Sequence, residues 1–149
     1  MIDRLPVDQA VATMLAAASG KPVGRGAIPP SVEPPYYLLT VVSTTVSGAP
    51  LADESEDLSI VYQVTSVTGP APSNPGSYAV ADQAAWLADK ARKAFLARHP
   101  DAGQWLHSIT VPGARVFGRS LDIEPGGSRD ESDAIINNVQ RFRVDLTRA

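Results

Sequence analysis

The sequence predicts an α+β fold, in which a mainly antiparallel sheet is packed by an N-terminal helix and one long central helix. Three observations carry that expectation. Over residues 77–98, Val80, Ala84, Leu87, Ala91, Ala94 and Phe95 recur at helical spacing, so one face of that helix must be buried. Upstream, Leu58, Ile60, Tyr62 and Val64 alternate with Ser59, Gln63 and Thr65, as on a half-exposed strand. Downstream, Phe142, Val144 and Leu146 alternate with Arg141, Arg143 and Asp145 even more cleanly.

The elements follow in order. A helix is expected over residues 6–19, with Pro6 in the first turn, where its missing N–H costs nothing. Asp8 complements the positive end of the helix dipole, and Gly20 supplies a stop. Its apolar stripe is Val7, Val11, Met14, Leu15 and Ala18, the pattern of a packing helix. Residues 21–35 carry five prolines and read as an ordered arm or extended surface loop. Residues 36–46 are β-branched and almost continuously apolar, which predicts a strand buried on both faces. An acidic turn over 49–57 leads to the alternating strand 58–67, and the two strands are expected to form a hairpin. Ser77 can cap the long helix, Asp82 favours its start, Asp89 and Lys93 stand at i, i+4, and His99-Pro100 ends it. Strands are expected over 115–123 and 138–148, joined by a polar loop over 124–133.

The 149 residues fit a single domain spanning 1–149, with enough chain to bury a sizeable core, and no composition shift marks a second one. With 44% hydrophobic and 19% charged residues the composition is that of a folded protein. No apolar run is long enough to predict a membrane span, and the N-terminus lacks the basic-then-apolar pattern of a secretory signal. The absence of cysteine excludes disulfides and thiolate chemistry and fits a reducing cytoplasm. Thirteen basic residues are dispersed among sixteen acidic ones, so a general affinity for nucleic acid is not expected.

No catalytic, metal or cofactor motif emerges. His99 and His107 are eight residues apart with no further ligands in a metal-binding pattern. Residues 21–26 have two glycines but no Gly-Lys-Ser/Thr ending, and no nucleophile elbow occurs. A carboxylate pair assembled by the fold stays open as a different class of function, a small enzyme. The acids Asp53, Glu54, Glu56 and Asp57 form one group; Asp130, Glu131 and Asp133, beside Arg129, form a second without calcium-loop spacing. Both groups read as solvated loops and as candidate contacts with a partner. Arg141 and Arg143, on the outward side of the last strand, read as charges that discourage random edge pairing. Trp86 lies off the helical stripe; it either packs beneath a loop carrying Trp105 or anchors a subunit interface.

The order of these elements resembles the tail terminator proteins of long-tailed bacteriophages. The resemblance rests on the chain's size, the first helix PVDQAVATMLAAA, the hairpin ending DLSIVYQVTSV before the helix AVADQAAWLADKARKAFLAR, and the closing strand NVQRFRVDLTR. It implies a structural virion protein without cofactor, assembled in the host cytoplasm and located at the head–tail junction. Six copies would form a ring that caps the tail tube, ends its polymerisation and offers a docking face to the head–tail connector. Its partners would be further copies of itself, the tail tube protein and the connector or stopper, with DNA passing through the lumen as cargo and no membrane contact. A head-completion protein, a stopper or a tube subunit are neighbouring alternatives. If the second acidic group is an assembly contact, reversing the charges of Asp130, Glu131 and Asp133 should impair assembly more than folding, because exposed loop charges contribute little stability. Thermal scans beside an assembly assay check this; a lower melting temperature with normal assembly would refute it.

Overall fold

The fold, given by a computed structural model, is described for residues 2–28, 32–47, 56–69, 81–130 and 135–149. Helix α1 spans Arg4–Ser19 and buries Val7, Val11, Met14 and Leu15, as its periodicity requires. It ends on Gly20, whose φ of 70° places it in the left-handed region that glycine adopts without strain, and its N–H closes on the Ala16 carbonyl at 2.9 Å. The proline-rich arm is not wholly irregular. It holds a short strand β1, Val23–Arg25, which pairs in parallel with β2, Tyr36–Ser47. Strand β3 is Asp57–Thr68, helix α2 is Ala81–Leu96, strand β4 is Ala114–Asp130, and strand β5 is Ile135–Arg148. The Ser77 cap and Val80 lie outside the described residues.

The five strands form one sheet in the order β1-β2-β3-β5-β4, antiparallel except at β1. Both helices pack on the same face. That face carries Tyr37 and Leu39 from β2, Leu58, Ile60, Tyr62 and Val64 from β3, and Phe142, Val144 and Leu146 from β5, all buried. They meet Val7, Val11 and Leu15 of α1 and Leu87, Ala91, Ala94 and Phe95 of α2. Phe95 stacks on Phe142 with ring centroids 4.3 Å apart and planes within 2°.

Three expectations are corrected. Residues 36–46 are not buried throughout: Tyr36, Tyr37 and Leu39 are covered, but Val41, Val42 and Val46 are exposed. A β-branched run identifies a strand but not its cover, and neither helix reaches this half of β2. The region 124–133 is not a loop from its start, because β4 continues to Asp130 in register with β5, where Gly126 pairs with Val139 and Asp130 with Ile135. Pro125, which cannot donate a ladder hydrogen bond, falls in a bulge between Ile123 and Gly126. Last, β5 is an interior strand between β3 and β4, so the charges of Arg141 and Arg143 guard no edge.

Removing one aromatic partner from the centre of this packing should cost heavily. Phe142→Ala is expected to destabilise the protein by about 3–5 kcal/mol, read as a lower urea midpoint with an unchanged slope.

Candidate functional site

The candidate residues that the structure describes lie mainly on the sheet face opposite the helices and on the outer side of α2. On the open face β3 and β5 present Ser59, Gln63, Thr65, Arg141, Arg143 and Asp145 around one buried apolar residue, Val61. Arg141 Nε donates to Gln63 Oε1 at 3.3 Å, and Arg143 Nη2 meets Asp122 Oδ1 at the same distance. Asp145 lies close to Gly118, where an added Cβ would come within 3.0 Å of its carboxylate oxygen, so a larger residue there must displace that side chain. Arg141 and Arg143 therefore brace neighbouring strands laterally while their outer surfaces stay available. Exposed pairs of this kind add little stability.

The two sides of the sheet differ. Beyond Leu39, where β1 stops pairing, β2 has no further partner strand among the described residues, and it presents Val41, Val42 and Val46 without a charge between Thr40 and Ser47. The opposite edge is β4, broken by three register shifts and exposing Phe117 and Ile123. Phe117 and Ile123 both stand at such shifts, which turn an edge strand out of regular pairing.

The remaining sequence candidates do not converge. Glu56 accepts a hydrogen bond from the Ile2 N–H at 3.3 Å and so fastens the start of the chain to the start of β3. Asp53 and Glu54, and in the second group Glu131 and Asp133, lie outside the described residues. Arg129 and Asp130 belong to the end of β4, paired with Ile136 and Ile135. Because Asp57 pairs with Thr147 while Asp130 pairs with Ile135, the described members of the two acidic groups stand at opposite ends of the strands. Trp86 is 47% exposed, so it does not pack beneath a loop. The ammonium groups of Lys90 and Lys21 lie 4.6 and 5.5 Å from its ring centroid, and Lys90 also reaches the Ser19 carbonyl at the end of α1 at 3.4 Å. Trp105 belongs to a different cluster, with Arg98 and Arg119 at 4.0 and 5.0 Å from its centroid. The i, i+4 pair expected of Asp89 gives way to Arg92, one residue closer, at 3.6 Å.

Sequence reasoning missed the buried polar groups. Tyr62 donates to Asp8 Oδ1 at 2.6 Å, joining β3 to α1, and Tyr37 donates to the Leu87 carbonyl at 2.6 Å. Gln140 divides its amide between the Ala88 carbonyl at 3.0 Å and Glu124 at 2.9 Å. Gln140 was findable in principle: it occupies an inward position of the same alternation as Phe142, Val144 and Leu146. Among the described residues no group of three or more His, Asp or Glu side chains is placed to hold a metal.

Burial raises both phenols well above the usual tyrosine range, and the Asp8 carboxylate adds to the effect at Tyr62. The unfolded chain loses these protons near pH 10, whereas the native state retains them, so the native state binds more protons above that point. Unfolding free energy should thus be insensitive to these phenols below about pH 9 and fall as pH rises past about 10. Tyr62→Phe should cost about 1 kcal/mol at pH 7 and flatten the alkaline fall. Urea unfolding of both proteins at pH 7, 9 and 11 checks the two effects together.

No protein-family model and no curated protein matches this sequence. Solved structures do match: a chain described as "Virion of native gene transfer agent (GTA) particle" superposes with a TM-score of 0.58. That superposition covers 95% of this chain and 94% of the other at 17% sequence identity, and what the two chains share is the fold.

Proposed function

We propose that this protein is a structural subunit of a phage-like virion and, within that class, the terminator ring of a tail tube. The observation that carries the proposal is the near end-to-end likeness to a chain of a gene transfer agent virion, 95% of one and 94% of the other. Likeness over one motif would not distinguish a shared domain from a shared architecture; likeness over both whole chains favours the latter. The surface chemistry supports the same reading. The sheet has two dissimilar sides, each with exposed apolar residues, and an open face of cross-braced polar groups.

The mechanism is geometric rather than catalytic. Copies joined side to side consume their lateral surfaces, and the ring that results keeps two different axial faces. One face matches the last layer of the tube protein, the other the head–tail connector, and DNA crosses the lumen. The two acidic groups, Asp53, Glu54 and Glu56 in one and Asp130, Glu131 and Asp133 in the other, are then candidates for those two contacts. Trp86, Arg129, Arg141 and Arg143 are further candidates for contacts between copies or with the tube.

Electron microscopy of the purified protein, alone and mixed with tail tubes, tests the proposal. Discrete rings seated on tube ends are the expected result. Long cylinders formed by this protein itself would instead make it a tube subunit. A monomer that ignores tubes under all conditions would overturn the reading.

A further inference from the structure

A buried cation in this protein has no carboxylate partner among the described residues. Arg119 on β4 is only 8% exposed, yet neither the Asp89–Arg92 nor the Asp122–Arg143 ion pair includes it. Its Nη1 donates to the Phe95 carbonyl at 3.3 Å, in the last turn of α2, where the helix dipole is negative, and its Nε has no hydrogen-bond partner. Burial pulls its pKa down to about 10, which still leaves it charged at neutral pH. A buried guanidinium compensated by one carbonyl and an aromatic ring is underpaired.

Arg119 lines a cleft of about 320 Å³ together with Trp105, Ser108, Thr110, Val111 and Arg115. Among the described residues no acidic side chain lines it. Arg98 stands 4.0 Å from the Trp105 ring, so it adds a third positive charge to the neighbourhood of a protein whose net charge is −3. The rest of the lining is apolar or hydroxyl-bearing. We propose that this cleft is a docking site for a carboxylate side chain of a partner polypeptide, flanked by apolar residues. The carboxylate completes the pairing of Arg119, and the flanking residues lie against Trp105 and Val111. Charge complementarity selects the occupant: a nucleic-acid backbone needs cations that track successive phosphates, whereas here two arginines, Arg115 and Arg119, line one cleft of an acidic chain. The inference is independent of the virion reading, since it rests on the cleft alone.

The test uses the full chain carrying Trp86→Phe, so that fluorescence reports Trp105. The probes are acetyl-Leu-Glu-Val-Glu-Leu-amide, its glutamine counterpart, and a single-stranded oligothymidylate. The acidic peptide should give a saturable change in Trp105 emission, with binding at least about tenfold tighter than the glutamine peptide. Arg119→Met should weaken that binding at least about tenfold while shifting the melting temperature by no more than about 2 °C, because the lost hydrogen bond is offset by relief of a buried charge. Arg115→Glu, at an exposed position of the lining, should weaken binding similarly without touching the packing. Equal binding of both peptides, no binding of either, or preferential binding of the oligonucleotide overturns the proposal. So does an Arg119→Met protein that melts much earlier yet binds unchanged, which would make the residue purely structural.

Discussion

The rest of the structure depends on how closely α2 approaches the sheet. Its inner side is built from Ala84, Ala88, Ala91 and Ala94, all buried, so little side-chain bulk separates helix backbone from strand. That closeness lets strand side chains bond to the helix main chain: Tyr37 of β2 reaches the Leu87 carbonyl, and Gln140 of β5 reaches that of Ala88. A carbonyl already accepting its intrahelical N–H has a second lone pair, so these bonds add to the helix without breaking it. Two neighbouring carbonyls held from two different strands fix the helix along its axis as well as against the sheet. Leu87 and Phe95 then supply the volume that the alanines do not, and Phe95 finds its partner in Phe142.

This arrangement explains which parts of the fold were legible. Alternation in β3 and β5, and the helical stripe of α1, name the inward residues correctly because a buried face must repeat with the period of its element. Periodicity says nothing about how far the covering layer extends, so the exposed half of β2 was unreadable: its Val41 and Val46 look like core residues, and only the length of the helical layer leaves them bare. Nor could the phase of β4 be read. Val116, Arg119 and Leu121 pair with Leu146, Val144 and Phe142, so the inward positions are first three and then two apart, because Phe117 sits in a bulge. Gly118 is the one mark the bulge leaves in the sequence, and a lone glycine inside a strand does not fix how the phase shifts, so Arg119 cannot be recognised as buried from alternation alone.

The candidate site was legible only in composition. Trp86 was recognisable as off the helical stripe, and its exposure follows from that placement. Asp57 and Asp130, members of acidic groups that look equivalent on paper, are separated by strand pairing that alternation does not specify. Register depends on which strands are neighbours, and β5 inserting between β3 and β4 is a long-range choice. The same insertion turns Arg141 and Arg143 from supposed edge guards into the cross-braces of a central strand. Their role changes although their outward orientation was read correctly.

The inequality of the two sides of the sheet bears most directly on assembly. One side offers an uncharged strand edge with Val41, Val42 and Val46; the other offers a bulged edge with Phe117 and Ile123 among arginines and acids. A two-fold dimer joining like sides covers one of them and leaves the other bare on both subunits. A head-to-tail contact joins unlike sides and covers both in every subunit except those at the ends of a chain of copies. Closure removes the ends, so a ring is the arrangement in which no exposed apolar side is left over. On the proposed reading, in which the subunit stops a polymer without starting another, that difference matters: an open filament always offers a free side to the next copy, while a closed ring has none.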